Sequence, residues 1–246
     1  MPTKTAKEIR TEAWKALGAN GQYWTFFGGG IVLAFSMVLF ILPIMVILGA
    51  GIGFSGILPY LQPGGKPEIG LFLDPEVMLP LLSAALVASI LIIYPIGFLR
   101  WGQAAMAIAT IRRGLKFGHA FSGWGHGWKM GWIEMVRGSY LILWSLLLVP
   151  GIIKAFSYSM TEFIAVDHPD WSANQCITES RRLMDGHKWR YFCLFVSFIG
   201  WWILVFLASF FLNGLAQWFF LPYLEAARAA FYEDLLDQDV GAPSLR

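Results

Sequence analysis

Three groups of ionisable residues stand inside or beside uncharged runs of this sequence. Glu134 and Arg137 are three apart, Lys154, Tyr158 and Glu162 follow at intervals of four, and Glu225 and Arg228 are again three apart. On a helix, spacings of three and four put side chains on one face, so each group can act as a unit. A charge at the centre of a membrane helix costs roughly 2.5–3.5 kcal/mol on insertion scales, so it needs an opposite charge or water. The acids Glu134, Glu162 and Glu225 stand against the bases Arg137, Lys154 and Arg228, a balance that predicts ion pairs between helices. The same residues permit a polar pathway or binding cavity; a catalytic site is the weakest reading.

No enzyme signature accompanies them. G-x-S-x-G, Walker A, H-E-x-x-H and C-x-x-C do not occur in the sequence. His119, His126, His168 and His187 are scattered over loop-like stretches and read as solvated. Cys176 and Cys193 lack metal-ligand spacing and read as free thiols. No catalytic, metal-binding or cofactor-binding residue is therefore assigned, and a non-enzymatic role is expected.

Elements positioning these charges must tolerate an oily exterior. The chain has 246 residues, 57% hydrophobic and 14% charged, against about 25% charged in soluble domains. So little polar surface cannot cover a core of this size, and lipid must solvate part of the outside. No dense Lys/Arg block suggests nucleic acid. The expected fold is all-α: one integral membrane domain over residues 1–246, a polytopic transmembrane helical bundle of about six spans with amphipathic interfacial helices. The first apolar run begins near Trp24, after a charged helix-like segment, so no cleaved signal peptide is expected.

Residues 3–17 read as an amphipathic helix, opened by a T-x-x-E capping box at Thr5 and Glu8, with Ile9, Ala13, Trp14 and Leu17 on one face. It is expected at the lipid headgroups, with partner docking as the alternative. The six-span bundle occupies 21–236. Trp24 to about Ile52 and Val77 to Leu99 are uncharged spans flanking a Gly/Pro-rich loop, and the second helix can continue past Arg100. Trp124, Trp128 and Trp132, four apart, predict an aromatic belt. The run from Trp132 to Val166 is too long for one crossing, and Pro150-Gly151 divides it into two short legs, as a full hairpin or a re-entrant broken helix. Lys154 then falls near the outer turn, and Glu162 at a depth where Arg137 can meet it. Residues 172–185 read as a second amphipathic helix, started by Ser172 and Gln175 and stopped by Gly186. Asn213-Gly214 separates spans at about 190–212 and 215–236, and the acidic tail 237–246 is expected to fray.

Charge asymmetry sets the orientation. The N-terminal segment carries four Lys/Arg, residues 100–129 carry five, residues 167–190 carry four, and the first loop only Lys66. Six crossings with both termini cytoplasmic put all three basic groups inside.

The second half resembles a known family. "LVPGIIKAFSYSM", "ESRRLMDGHKWRYFCLFVSFIGWWIL" and "LPYLEAARAAFYEDLL" are similar to the bacterial integral-membrane family catalogued as domain of unknown function 975. The likeness covers roughly residues 95–236 and departs in the loop around 49–76. It implies a multi-pass protein of the bacterial cytoplasmic (inner) membrane and supplies no substrate, cofactor or catalytic residue. The expected function is a membrane module binding lipid or a membrane or cytoplasmic protein partner. The alternative is a small transporter with a polar cavity around the Pro-Gly-broken helix.

Overall fold

A computed structural model describes residues 3–52, 75–112, 114–212 and 215–241. Among them every regular element is helical. The order is α1 (Ala6–Gly18), α2 (Gln22–Ile52), α3 (Pro75–Ile111), α4 (Gly127–Ser145), α5 (Leu148–Ser157), α6 (Thr161–Asp167), α7 (Ala173–Leu183), α8 (Lys188–Ser197), α9 (Ile199–Leu212) and α10 (Ala216–Gly241), with a 3-10 stretch at Phe117–Gly123 before α4. Most of the Gly/Pro-rich loop and the Asn213-Gly214 turn lie outside the described residues.

Local signals set several of these ends. The Thr5 side chain accepts from the Glu8 N–H while Glu8 reaches back to the Thr5 N–H, and Ser172 and Gln175 repeat the arrangement at α7. Gly186 takes φ +75°, which suits a residue without Cβ, and turns the chain between α7 and α8.

Two helical stretches, Gln22–Pro43 and Leu91–Ile111, are long and apolar enough to cross a membrane. The pair Lys188–Ser197 and Ile199–Phe211 makes a third if taken together across its 41° bend. These stretches fall short of the six spans that the apolar runs suggest. Instead, the 132–166 run breaks twice, into α4, a 10-residue α5 and a 7-residue α6. The tail expected to fray from 237 stays helical to Gly241.

The packed core lies at one end of the molecule. Ile9, Ala13 and Leu17 of α1 are buried with Ala104, Met106 and Ala107 of α3, Phe163 and Ile164 of α6, Cys176 of α7, and Ala226 to Tyr232 of α10. Both amphipathic helices therefore cover their apolar faces with protein rather than lipid. Trp14, expected on one face with Ile9, Ala13 and Leu17, does not join them in the core and is 57% exposed. At the other end the helices expose apolar side chains: Leu39, Leu42 and Val46 of α2, Leu146 beyond α4 (82%), Val149 and Ile152 of α5, and Phe206 and Phe211 of α9, the last 89% exposed.

Glycine lets α3 and α4 cross in close contact. A methyl group at Gly97 would lie 1.9 Å from the Gly127 carbonyl oxygen, and one at Gly131 2.2 Å from the Ile93 oxygen. Of the expected tryptophan stripe, Trp128 and Trp132 share α4, while Trp124 precedes it; all three are exposed.

Candidate functional site: a buried ion network and an apolar groove

The double break in the third apolar run creates the centre of the site. Helix α5 ends at Ser157, capped by Tyr158, and α6 starts at Thr161. Freed backbone groups at this break need partners in an apolar setting. Ser180 of α7 supplies them: its hydroxyl donates to the Ser157 carbonyl at 2.9 Å and accepts from the Met160 N–H at 3.2 Å.

Beyond the break, Glu162 is 2% exposed and faces two arginines. Its Oε2 lies 2.7 Å from Arg100 Nη2 of α3, and its Oε1 accepts from Arg228 of α10. Arg228 also bonds Glu225 through Nη1 at 2.8 and 3.0 Å, the Tyr191 hydroxyl at 3.2 Å and the Ser159 carbonyl at 3.2 Å. Its guanidinium stacks over the Phe163 ring, 5.3 Å from the centroid. On α4, Arg137 bonds Glu134 at 2.5 Å, and the other Glu134 oxygen lies 3.9 Å from Arg100. Six ionised groups from α3, α4, α6 and α10 thus neutralise one another. The desolvation cost of such charges is offset only when most of their hydrogen-bonding capacity is met, as it is for Glu162 and Arg228. Glu134 Oε1 is buried without a hydrogen-bond partner among the described residues.

Of the sequence-predicted residues, Glu134, Arg137, Glu162, Glu225 and Arg228 come together. The predicted Arg137–Glu162 contact does not form: Arg137 bonds within its own helix, because the break turns Glu162 toward α3 and α10. Lys154 and Tyr158 part from Glu162 for the same reason, since four-residue spacing holds a face only along one unbroken helix. Tyr158 is buried, its ring 6.5 Å from Tyr140. Lys154 lies over the ring of Trp144, in the last turn of α4, at 4.9 Å and shares a recess with Arg181, Arg182 and Lys188. Arg100 was missed as a member of the network. It reads as the start of a basic flank, although α3 continues unbroken to Ile111 and the uninterrupted "WGQAAMAIATI" pattern carries that signal.

Three further pairings anchor the acidic end of α10 to the basic segments. Arg112 binds Asp167 through two bonds of 2.8 and 2.9 Å and Glu233 at 2.9 Å. Arg190 binds Asp234 at 2.5 Å and the Lys4 carbonyl at 2.9 Å. Arg182 joins Glu179 to Asp239. Among the described residues no group of three or more His, Cys, Asp or Glu could hold a metal ion.

A second feature lies between α1, the start of α2, α9 and α10. An apolar groove of about 590 Å³ is walled by Trp14, Tyr23, Trp24, Trp201, Phe219 and Phe220. Leu17, Leu204, Val205 and Tyr223 add to the lining, and the small residues Gly18, Ala208 and Ala216 leave space between them. Trp14 stands edge-on to Tyr223 at 5.3 Å, and Phe27 stacks on Phe219 at 4.6 Å.

The family described as "Protein of unknown function (DUF975)" matches residues 76–239. The chain belongs to this family. No curated protein and no solved structure matches it. In this DUF975 protein the match runs from α3 through most of α10, so it contains the whole ion network. Helices α1 and α2, which form one side of the groove, precede it.

Proposed function

We propose that this protein is a non-enzymatic, multi-pass module of the bacterial cytoplasmic membrane that holds a lipid acyl chain in its aromatic groove. The groove itself carries the reading. Its lining is aromatic and aliphatic, and it runs onto α9, whose Ile203, Leu204 and Leu207 are exposed. An occupant must therefore be apolar and reach the site from the same oily surroundings that solvate α9. Tyr and Trp at the rim suit the boundary between hydrocarbon and headgroups. The interlocked ion network supports a bundle closed by charge pairing rather than a transport route through Lys154, Tyr158 and Glu162.

In this reading the packed end, with its basic segments and amphipathic α1 and α7, is cytoplasmic, and both termini are on that side. The α4–α5 hairpin is re-entrant: α5 rises only about 15 Å, half of a hydrocarbon core of about 30 Å. The test is native mass spectrometry of protein extracted in a mild non-ionic detergent. Wild type should retain phospholipid, and Ala208→Trp, which fills the groove, should lose most of it while keeping its helical circular dichroism. Equal retention by both proteins, or a co-purifying polypeptide that Ala208→Trp displaces instead, would sink the acyl-chain reading. Separately, impermeant thiol reagents should label Lys66→Cys from outside intact spheroplasts and Asp185→Cys only after lysis; the same side for both would refute the topology.

A further inference from the structure

The recess that captures Lys154 has its own chemistry. It measures about 410 Å³ and lies between α5, α7 and the start of α8, lined by Lys154, Ser157, Thr178, Arg181, Arg182, Asp185 and Lys188. Four cations and one carboxylate converge there. Arg182 is spoken for, held by Glu179 and Asp239. Lys188 has only a long contact, 3.4 Å, to Asp185, whose side chain is 83% exposed. Neither Lys154 nor Arg181 pairs with a carboxylate among the described residues. Lys154 instead uses the face of Trp144, and Arg181 and Lys188 lie close enough to repel it. Like charges gathered in one recess repel, and an anion seated among them would relieve that repulsion.

We propose that this recess binds a phosphate-bearing anion. The donors suit a tetrahedral oxyanion. Arg181 offers a planar fork that matches two phosphate oxygens, Lys154 and Lys188 act as point charges, and the Thr178 hydroxyl can donate to a remaining oxygen. The volume of about 410 Å³ admits a phosphoryl headgroup. The surroundings add a second preference. Ile152 and Ile153, within one turn of Lys154, are exposed, and so are Trp189 and Phe195 on α8 beside Lys188. A phospholipid whose headgroup enters the recess would lay its chains against these side chains, as basic pockets between membrane helices do with anionic headgroups. The phosphate site stands on its own residues; only its lipid form rests on the membrane reading proposed above, and it shares no lining residue with the acyl groove.

The experiment uses the full chain in phosphate-free maltoside micelles, with two probes titrated by calorimetry: inorganic phosphate and dioctanoyl phosphatidic acid. Wild type is expected to bind at least one probe saturably. Arg181→Gln and Lys154→Gln should each weaken that binding by about tenfold or more, the loss expected for one charge-assisted hydrogen bond, and Lys15→Gln on α1 should leave it unchanged. Binding of both probes identifies phosphate as sufficient, and binding of the lipid alone identifies a headgroup site. If Arg181→Gln does not fold, Arg181→Lys, which keeps the charge without the fork, must still weaken binding. The proposal is overturned if neither probe saturates, if either recess variant binds as wild type does, or if Lys15→Gln weakens binding equally. Because Ala208→Trp leaves this recess intact, it should bind the same probe as wild type does, and as tightly, whatever becomes of the groove.

Discussion

Glu162 and Arg100 meet across 2.7 Å, joining a seven-residue helix to the longest helix in the described structure. Neither residue has a charged partner within its own helix. Their contact exists only because the chain breaks at Tyr158–Met160 and swings Glu162 away from α4. With Arg228 on the opposite side, the buried carboxylate is the shared anion of two half-buried cations.

That sharing makes Glu162→Gln the most damaging single change in the network. The substitution keeps shape but leaves Arg100 and Arg228 under-neutralised, an effect of about 3–5 kcal/mol for a broken buried pair. Thermal unfolding in detergent should show a large loss. The double variant Glu162→Gln/Arg100→Gln should be more stable than the sum of its singles predicts, since it removes the stranded charge as well. Additive losses would mean that the two side chains do not interact.

Ser180→Ala should weaken the α5–α6 break specifically. It removes the donor to the Ser157 carbonyl and the acceptor for the Met160 N–H in a buried site. Leaving such groups unpaired costs about 1–3 kcal/mol. Hydrogen exchange read at Met160 and Thr161 should accelerate before exchange in α10 does; uniform acceleration would place the defect elsewhere.

The α3–α4 crossing depends on absent side chains. Gly131→Ala forces a methyl group against the Ile93 carbonyl, and overpacking of this kind costs about 1–3 kcal/mol. Gly138→Ala on the same helix meets nothing within 4 Å and should instead stabilise slightly, by up to about 1 kcal/mol from helix propensity. Melting temperatures that move the same way for both would contradict the close crossing.

Stability should also fall on mild acidification through His187, which lies in the turn before α8. Burial, then the Arg190 guanidinium, holds its imidazole below the ordinary range, against weaker opposing pulls from Asp234 and Asp185. The neutral ring accepts from Arg190 Nη1 at 3.1 Å through Nδ1. A base with a depressed folded-state pKa takes up protons more readily when unfolded, so stability rises with pH in the window below about 6.5 and falls as pH drops through it. His187→Gln should flatten that part of the profile. A further loss nearer pH 4 should remain. Glu8 is held low by the Thr5 N–H and hydroxyl, and Asp239 by Arg182, so both stabilise when ionised and lose that contribution on protonation.

Legibility in the sequence followed range. The capping boxes at Thr5 and Ser172 and the stop at Gly186 were readable because each depends on neighbours within one or two helical turns. Five residues of the ion network were readable as charges out of place in apolar runs. The two i,i+3 pairs, Glu134 with Arg137 and Glu225 with Arg228, were legible too; the partners on other helices were not. Lys154, Tyr158 and Glu162 look like one face only if the helix is continuous; the first break falls at Leu146-Leu147 rather than at Pro150-Gly151, which lie in the first turn of α5, and a second break at Tyr158–Met160 carries no Pro or Gly. The acidic residues after Phe231 look like a loose tail until Arg112, Arg182 and Arg190 are seen to hold them.

The sequence by itself therefore determined the helical class, the oily exterior and the presence of charges that had to be neutralised, because composition, local spacing and short-range capping are properties of the chain alone. Tertiary structure decided which charges meet, which apolar faces are covered by protein, and where a groove and a basic recess stay open. The physical reason is rotation: each break in a helix resets the direction of every side chain after it, and that new angle is chosen by packing against distant segments.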